Sequence, residues 1–346
     1  MDKAKAVRPS EALNWKDLEI YLRSAIPDLS GEMEVAQFHG GHANLTYLLQ
    51  FGKRELVLRR PPFGKIAPGA HDMKREYRVL SKLYKVFPRA PRAFHLCEDE
   101  NIVGAKFVVM ERKNGIIVRY QVPEVFKSFD NIEERLTIAL IKASADLHKV
   151  DVTAADLSEL GKPEGFIERQ LAGWEKRWAL SKTEENPAMT TIFEKLNADI
   201  PKPQTVSIVH NDIKFDNCQF QVDNPDEITA LFDWDMTTIG DPLADFGMTL
   251  SYWKDDRLSA IKDLPVMLKG DFPSKDFLKE KYQAYTGLNL DRIDWYEALS
   301  YIKMAVIGQQ LYKRFVEGAT KDKRMASFGK SSQVMIQMAK EIVERF

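Results

Sequence analysis

The chain has 346 residues, of which 44% are hydrophobic and 29% charged, a composition that excludes wholesale disorder. At about 100–200 residues per domain, this length favours two domains or one enzyme-sized unit. The formal net charge is −1, from 50 basic and 51 acidic residues, which argues against a strongly charged partner such as nucleic acid.

Periodicity in the first third of the chain predicts a small sheet with one helix beside it. Gly52-Lys53 lies between two apolar runs as a hairpin turn, which indicates antiparallel strands, and Pro61-Pro62 ends the second of them. The loop through Gly64 and Gly69 is too rich in helix and strand breakers to be regular. In chain order, the predicted elements are a helix over 14–28, strands over 35–41, 45–51 and 55–60, a helix over 72–86 and a strand over 106–110.

After residue 115 the pattern becomes mainly helical. The predicted helices cover 131–149, 164–181, 296–315 and 330–345, and one strand-rich segment interrupts them at 206–234. We therefore expect an α+β protein with a boundary near residues 111–115. The predicted domains are an N-terminal helical extension (1–34), a small antiparallel-sheet lobe (35–111) and a larger, mainly helical lobe (112–346).

The charge is divided unevenly along the chain. Residues 1–120 contain 21 Lys and Arg against 14 Asp and Glu, a net charge of +7, and the remainder contains 29 against 37, a net charge of −8. Two solvated surfaces can differ in this way by chance. The alternative is a basic lobe facing an acidic one, with a polyanion and its cations bound between them.

Cysteine usage and hydropathy indicate the cellular compartment. Cys97 and Cys218 are far apart, so they predict neither a disulfide framework nor a zinc site. No apolar stretch is long enough to cross a bilayer, and residues 1–15 lack the apolar segment of a secretory signal. We expect a cytoplasmic protein without a membrane partner.

The densest polar chemistry lies in residues 210–245. His210-Asn-Asp-Ile-Lys-Phe-Asp-Asn217 follows a buried strand, and a second apolar strand leads to Asp233, twenty-one residues after Asp212. The five-residue spacing of Asp212 and Asn217 equals that of the base and the metal-binding Asn in the protein-kinase catalytic loop. A solvated loop of turn-forming residues is the alternative, but it does not explain the full pattern.

These residue types suit phosphoryl transfer. A hard divalent cation prefers oxygen ligands, which Asp233 and Asn217 would provide, and Asp212 would accept the proton of an acceptor hydroxyl. Four neighbouring residues are expected to have structural tasks. They are His210 and Asp235 as supports of their loops, Asp241 before Pro242 as a helix N-cap, and Asp245 as an anchor for the catalytic loop. A direct catalytic role is the alternative for His210, and a contact with the metal is the alternative for Asp235.

At these residues the sequence resembles the aminoglycoside phosphotransferase/choline kinase-like family, the small-molecule relatives of protein kinases. The family pattern is H-G-D-x4-N, then [IV]-D-[WF]-[ED] and G-D-P-x-x-D, and here Asn211 replaces the usual Gly. The chain is similar in particular to the branch that includes kinase-like domains fused to acyl-CoA dehydrogenases. The further motifs are Gly40-Gly-His-Ala-Asn-Leu-Thr-Tyr47, Val57-Leu-Arg-Arg-Pro-Pro62, Arg75-Glu-Tyr77 after Ala70-His71, and Gly165-Phe-Ile-Glu-Arg-Gln170 before Trp174.

The resemblance implies a bilobal protein-kinase-like fold that uses ATP and Mg2+. It assigns Arg59 to the position of the usual phosphate-binding Lys, and Glu76 would pair with it. Arg60 is the poorer candidate, because strand alternation turns it to the opposite face. The other implied nucleotide contacts are a phosphate loop (Gly40, Gly41, Asn44) and a hinge that binds adenine (Met110, Glu111).

The leading hypothesis is an ATP- and Mg2+-dependent kinase that phosphorylates a hydroxyl of a small molecule, with an aminoglycoside or a hydroxylated acyl compound as the acceptor. A metal-dependent phosphohydrolase would use the same acids but leaves the preceding sheet unexplained. A catalytically inactive kinase fold that only binds is the third alternative, and Arg59 in place of Lys is its one support. Lys65 and His71 belong to the loop over residues 61–71, which we expect to be solvated, with a phosphate or substrate contact as the alternative. The sequence leaves open the acceptor, the choice between ATP and GTP, whether Arg59 fully replaces the usual Lys, the role of this loop and the oligomeric state.

Overall fold

The computed structural model describes residues 4–40, 44–64, 71–255, 257, 270–320 and 322–346. Its helices are α1 (Trp15–Ala25), α2 (Met73–Leu83), α3 (Ile132–His148), α4 (Phe166–Ser181), α5 (Pro187–Ala198), α6 (Pro242–Ser251), α7 (Lys275–Thr286), α8 (Ile293–Val316) and α9 (Arg324–Val343). Its strands are β1 (Met33–Phe38), β2 (Leu45–Phe51), β3 (Arg54–Arg60), β4 (Ala93–Cys97), β5 (Phe107–Glu111), β6 (Ile116–Ile117), β7 (Ser207–Val209), β8 (Cys218–Phe220), β9 (Ile228–Leu231) and β10 (Thr238–Gly240).

Contacts within the chain divide it into two compact units. Unit 1 consists of Met1–Val118, Val150–Leu160 and Phe215–Thr238. Unit 2 consists of Arg119–Lys149, Gly161–Lys214 and Ile239–Phe346. A late segment of the chain thus packs with the first 118 residues. The boundaries proposed from the sequence at 34 and 111 stay a prediction.

An antiparallel five-stranded sheet in the order β1-β2-β3-β5-β4 forms the body of unit 1. The turn at Gly52-Lys53 pairs β2 with β3, as predicted, and places Arg59 between Thr46 of β2 and Val108 of β5. The edge strand β4 was not predicted. Since side chains alternate along a strand, this register also decides which face of the sheet each arginine of β3 occupies.

Helix α1 covers one face of this sheet. Asn14 caps it by accepting a hydrogen bond from the Asp17 backbone N–H, as expected for a helix starting there. Leu18 and Leu22 are fully buried and belong to one apolar cluster with alternate residues of the central strands: Tyr47, Leu49, Phe51, Leu56, Leu58, Phe107 and Val109. Arg59 alternates with Leu58, so it lies on the face that α1 leaves uncovered.

A second, three-stranded sheet of unit 1, in the order β6-β8-β9, carries both predicted metal ligands at its strand ends. Cys218 pairs with Leu231, and the Phe232 N–H donates to the Asn217 carbonyl at 2.9 Å, so Asn217 and Asp233 follow neighbouring strand ends. Gly115 precedes β6, where a Cβ atom would lie 2.4 Å from the Phe220 carbonyl oxygen. Glycine is therefore required for this close approach of two backbones.

Unit 2 is mainly helical, and its central helix is α8. Helix α6 starts at Pro242 with Asp241 as its predicted N-cap, accepting from the Leu243 N–H at 2.9 Å. Gly247 lets α6 approach α8, because a Cβ there would lie 2.8 Å from backbone and side-chain carbon of Tyr296. Helices α5 and α7 were not predicted, although α5 has an N-cap, a Pro at its start and buried residues at helical spacing.

Among the helices that the structure describes, none combines the length and apolar character needed to cross a bilayer.

Candidate active site

Arg59 is the centre of a polar network in unit 1. Its guanidinium donates through Nη1 to Glu76 of α2 and through Nη2 to Asp233, which follows β9. The Glu76 side chain is 1% exposed and that of Arg59 is 11% exposed, so solvent screens their ion pair little. Arg59 and Asp233 are 174 positions apart in the chain. The structure thus brings together three residues that were each predicted for the nucleotide and metal sites.

Asn44 extends this network toward His71. With its amide oriented to satisfy its neighbours, Asn44 donates to Nδ1 of His71 at 2.8 Å and accepts from Nη2 of Arg59 at 2.7 Å. Asn44 is buried, and the structure thus places it beside the guanidinium, at the start of β2. Gly40 lies in a bend after β1, and Gly41 and Lys65 fall outside the described residues.

Arg60 has a different role from Arg59, as strand alternation predicted. Its guanidinium is buried and donates to the carbonyls of Val103 (2.8 Å) and Pro61 (3.0 Å), and it stacks on the ring of Phe63. Burial lowers the pKa of Arg60. These contacts hold the end of β3, which favours Arg59 for ligand binding.

Carboxylates outnumber the guanidinium among the four side chains Arg59, Glu76, Asp233 and Asp235. Burial raises the pKa of Glu76 to about 7; the Arg59 charge opposes that rise, and Asp233 and Asp235 add to it. Burial also opposes the charge of Arg59, but the carboxylates outweigh it and raise the pKa of Arg59 above its usual value. The guanidinium is therefore charged, and the surplus negative charge rests on the carboxylates.

This surplus suits a divalent cation. Asp233 supplies a carboxylate, and Asn217 supplies an amide on the neighbouring strand end, so the donor set is of hard oxygen. Mg2+ is commonly held by one or two such protein ligands together with substrate phosphates. Asp233 has a left-handed backbone with φ 73°, as is common where a side chain must be aimed at a site. These oxygen donors are of the type that the predicted cation prefers, and the assignment of Asn217 and Asp233 as its ligands stays a prediction.

In unit 2, the loop after β7 is held by Asp245 of α6. Its Oδ2 accepts from the His210 N–H at 2.7 Å, and its Oδ1 accepts from the Asn211 N–H at 2.8 Å. His148 of α3 lies 3.1 Å from Oδ2 of Asp245, and its other ring nitrogen lies 2.6 Å from the hydroxyl of Tyr282. The predicted anchoring role of Asp245 is confirmed.

The charge of Asp245 is stabilised although the residue is fully buried. Burial by itself would raise its pKa, but the hydrogen bond from His148, the charges of both histidines and the His210 N–H lower it below its usual value. An ionised carboxylate accepts two backbone bonds more strongly than a neutral one. The loop that carries Asp212 is therefore tied to α6 by charge-assisted bonds.

Side chains of unit 2 hold the carboxylate of Asp212. Oδ1 accepts from the Tyr252 hydroxyl at 2.6 Å, and Lys214 Nζ lies 2.8 and 3.0 Å from the two oxygens. Asp212 is 7% exposed, so these bonds orient a largely buried carboxylate. A carboxylate oriented in this way can accept a proton from a hydroxyl group.

Met110 and Glu111 end strand β5. Met110 is 4% exposed, and Glu111 accepts from the Arg92 N–H at 3.1 Å and pairs with Lys113, also at 3.1 Å. The partners of Glu111, Arg92 and Lys113, are not the residues that bond to Arg59. The assignment of Met110 and Glu111 to a nucleotide hinge stays a prediction.

Sequence reasoning missed three polar residues at these sites. Lys214 lies two residues after Asp212 and could have been noticed from that spacing alone. Tyr252 lies 40 positions from Asp212, and Lys303 of α8 lies 92 positions from its partner Asn211, so neither residue gave a local signal. His71 was expected in a solvated loop and instead hydrogen-bonds Asn44.

The profile of the phosphotransferase enzyme family matches residues 34–277, which include both polar sites. The chain belongs to this family. Among solved structures, this phosphotransferase-family chain is similar to a Ralstonia eutropha protein provisionally named an aminoglycoside phosphotransferase, with 28% identity and a TM-score of 0.80. The similarity covers 96% of this chain and 99% of that one.

More distant solved structures share the fold alone. Choline kinase from Cryptosporidium parvum aligns with a TM-score of 0.60 at 14% identity, covering 94% of this chain and 98% of that one. Aminoglycoside 2'-phosphotransferase-IIIa aligns with a TM-score of 0.61 at 14% identity, covering 96% and 100%. The predicted bilobal α+β, protein-kinase-like fold is confirmed.

The curated relatives confirm the predicted branch. The chain is 31% identical to mouse (Mus musculus) acyl-CoA dehydrogenase family member 10 over 97% of its own length and 32% of that protein. It is 30% identical to human (Homo sapiens) acyl-CoA dehydrogenase family member 11 over 90% of its length and 41% of that protein. The chain therefore spans about a third to two fifths of the curated relatives that it matches.

Proposed function

We propose that this chain is an ATP- and Mg2+-dependent phosphotransferase that transfers the γ-phosphate to a hydroxyl of a small molecule. The observation that carries the proposal is the Arg59 network. The guanidinium of Arg59, on strand β3, donates to the carboxylate of Glu76 on α2 and to that of Asp233 after β9. A phosphate site needs a fixed cation with a metal ligand beside it. Family membership supports the same reaction class.

Each group has a distinct task in this proposal. Arg59 binds the α- and β-phosphates, and Glu76 holds the guanidinium in place. Asp233 and Asn217 would hold Mg2+, which when bound neutralises phosphate charge. The acceptor oxygen attacks the γ-phosphorus, the bond to the β-phosphate oxygen breaks to release ADP, and the acceptor proton passes to Asp212.

Nucleotide use is supported by the structural neighbours. Aminoglycoside 2'-phosphotransferase-IIIa was solved as a GDP complex, and a mutant of aminoglycoside phosphotransferase APH(4)-Ia was solved as a ternary complex with ADP and hygromycin B. For the acceptor, we favour a hydroxylated acyl compound, because the curated relatives are named as acyl-CoA dehydrogenase family members. Both the cytoplasmic location and the small-molecule partner remain predictions.

The test is nucleotide consumption by the purified chain with a panel of hydroxylated acyl compounds and aminoglycosides, with ATP and GTP compared. We expect Mg2+-dependent turnover that Asp212→Asn lowers at least about 100-fold, as is typical when a general base is removed. Asp223→Asn is the matched control, since Asp223 is an exposed carboxylate that accepts a hydrogen bond from the nearby Gln221 side chain.

Two outcomes would contradict the proposal. Hydrolysis of phosphate esters without nucleotide would indicate a phosphohydrolase. Saturable nucleotide binding without turnover on the whole panel would indicate a binding module.

A further inference from the structure

Asn211, immediately before Asp212, has a left-handed backbone conformation, which is uncommon for residues other than glycine. Its φ is 72°, in the left-handed region that glycine adopts without steric cost. Asn tolerates this region better than most residues, but it still needs support from its surroundings. Because the Asn211 carbonyl belongs to the peptide that leads into Asp212, whatever supports Asn211 also affects the catalytic carboxylate.

Two side chains hydrogen-bond the backbone of Asn211, one at its N–H and one at its carbonyl oxygen. The carboxylate of Asp245 accepts from its N–H at 2.8 Å, and Nζ of Lys303 donates to its carbonyl oxygen at 3.1 Å. The first bond fixes the peptide between His210 and Asn211. The second fixes the peptide between Asn211 and Asp212, and thereby the direction in which the Asp212 side chain leaves the backbone.

The surroundings of Lys303 suit this task. It lies near the middle of α8, a 24-residue helix, so its Cα position is fixed by packing. Burial lowers the pKa of Lys303, while the charges of Asp212 and Asp245 oppose that effect. Within the part of the chain that the structure describes, Lys303 forms no salt bridge, and its hydrogen bond goes to the Asn211 carbonyl.

We propose that Lys303 is a positioning residue, whose ammonium holds the Asn211–Asp212 peptide so that the Asp212 carboxylate faces the acceptor hydroxyl. The effect on catalysis rests on the proposed function. The clamp, by which we mean the bond from Lys303 to the Asn211 carbonyl, is a structural property of unit 2. It also explains how Asn is accommodated where the family pattern has Gly: the clamp stabilises a conformation that Gly would adopt unaided.

The first test compares Lys303→Met with Lys313→Met. Lys313 is the matched control, because it lies on the same helix and donates to a backbone carbonyl, that of Leu180 at 2.8 Å. In Lys303→Met we expect kcat to fall about 10- to 100-fold, as for a misplaced catalytic group, while the KM for ATP stays within about twofold of the unmodified chain. Lys303→Arg keeps a charged donor and should recover most of kcat.

The second test uses Asn211→Gly as the background. If Lys303 stabilises the left-handed conformation of Asn211, Lys303→Met should lower kcat by a smaller factor in the Asn211→Gly chain than in the unmodified chain. An equal loss in both backgrounds would overturn the clamp, because it would show that the lysine acts independently of the Asn211 conformation.

Hydrogen exchange separates this proposal from the proposed function. Amides of residues 208–214 should exchange faster in Lys303→Met than in Lys313→Met, whether or not any substrate turns over. Absence of turnover in the unmodified chain with faster exchange in Lys303→Met would refute the phosphotransferase but support the clamp. Unchanged exchange and unchanged kcat in Lys303→Met would refute the clamp alone. If Lys303→Met does not fold, Lys303→Gln replaces it in the same comparison, because glutamine has no charge and a shorter side chain.

Discussion

Glu76→Gln should change how the stability of the protein depends on pH. The Glu76 side chain is 1% exposed, and burial raises its pKa from 4.5 to about 7. The folded chain therefore binds a proton here that the unfolded chain releases between those two pH values. The stability from this protonation is fully present below about pH 4.5 and is lost as the pH rises through 7.

The magnitude follows from the two pKa values of Glu76. Each pKa unit corresponds to about 1.4 kcal/mol, so the full effect is about 3 kcal/mol, most of which falls between pH 5 and pH 8. Because the side chain is almost fully buried, solvent screening reduces this effect little. Glu76→Gln does not titrate, so its stability relative to the unmodified chain should rise by this amount.

The assay is urea unfolding of both chains at pH 5, 6, 7 and 8 in metal-free buffer without nucleotide. Glu34→Gln on β1 serves as the control for removing an exposed carboxylate from the same unit. A stability difference between Glu76→Gln and the unmodified chain that is constant, or that falls as the pH rises, would refute the reasoning. It would show that the Arg59 charge keeps Glu76 ionised across the whole range.

Three further changes test the remaining assignments. Asp233→Ala should abolish Mg2+-stimulated turnover, because it removes the carboxylate ligand; stimulation by Mg2+ that persists in steady-state kinetics would contradict the metal assignment. Arg59→Ala should raise the KM for ATP at least tenfold, roughly the effect of losing a charged hydrogen bond, and the KM for the acceptor much less; equal increases would contradict the nucleotide-site assignment. Gly115→Ala should destabilise the chain by about 1–3 kcal/mol in urea unfolding, since its Cβ would lie 2.4 Å from the Phe220 carbonyl; a loss below 0.5 kcal/mol (about the effect of a surface substitution) would mean that the backbone there adjusts freely.

Much of the fold followed from local patterns. The hairpin at Gly52-Lys53, the alternation that separates Arg59 from Arg60 and the N-cap at Asp241 were all predicted, because each depends on neighbours a few residues apart. Strand β4 was missed, since it is short, lies at the sheet edge and follows a segment that contains Pro88 and Pro91. Helix α7 was missed although Ser274 caps its start and Gly287 ends it, because only Leu278 and Tyr282 are buried and its other residues are mainly polar or partly exposed.

Local sequence was enough to predict the chemical groups of the site: an arginine on a strand, the spaced acids of residues 210–245 and the family that uses them. Which of these groups contact each other depends on the fold. Arg59 bonds to Asp233 across 174 positions, and Lys303 bonds to the Asn211 carbonyl across 92. Local periodicity has no information about such pairs, because chain folding and not sequence spacing brings helices and strand ends together.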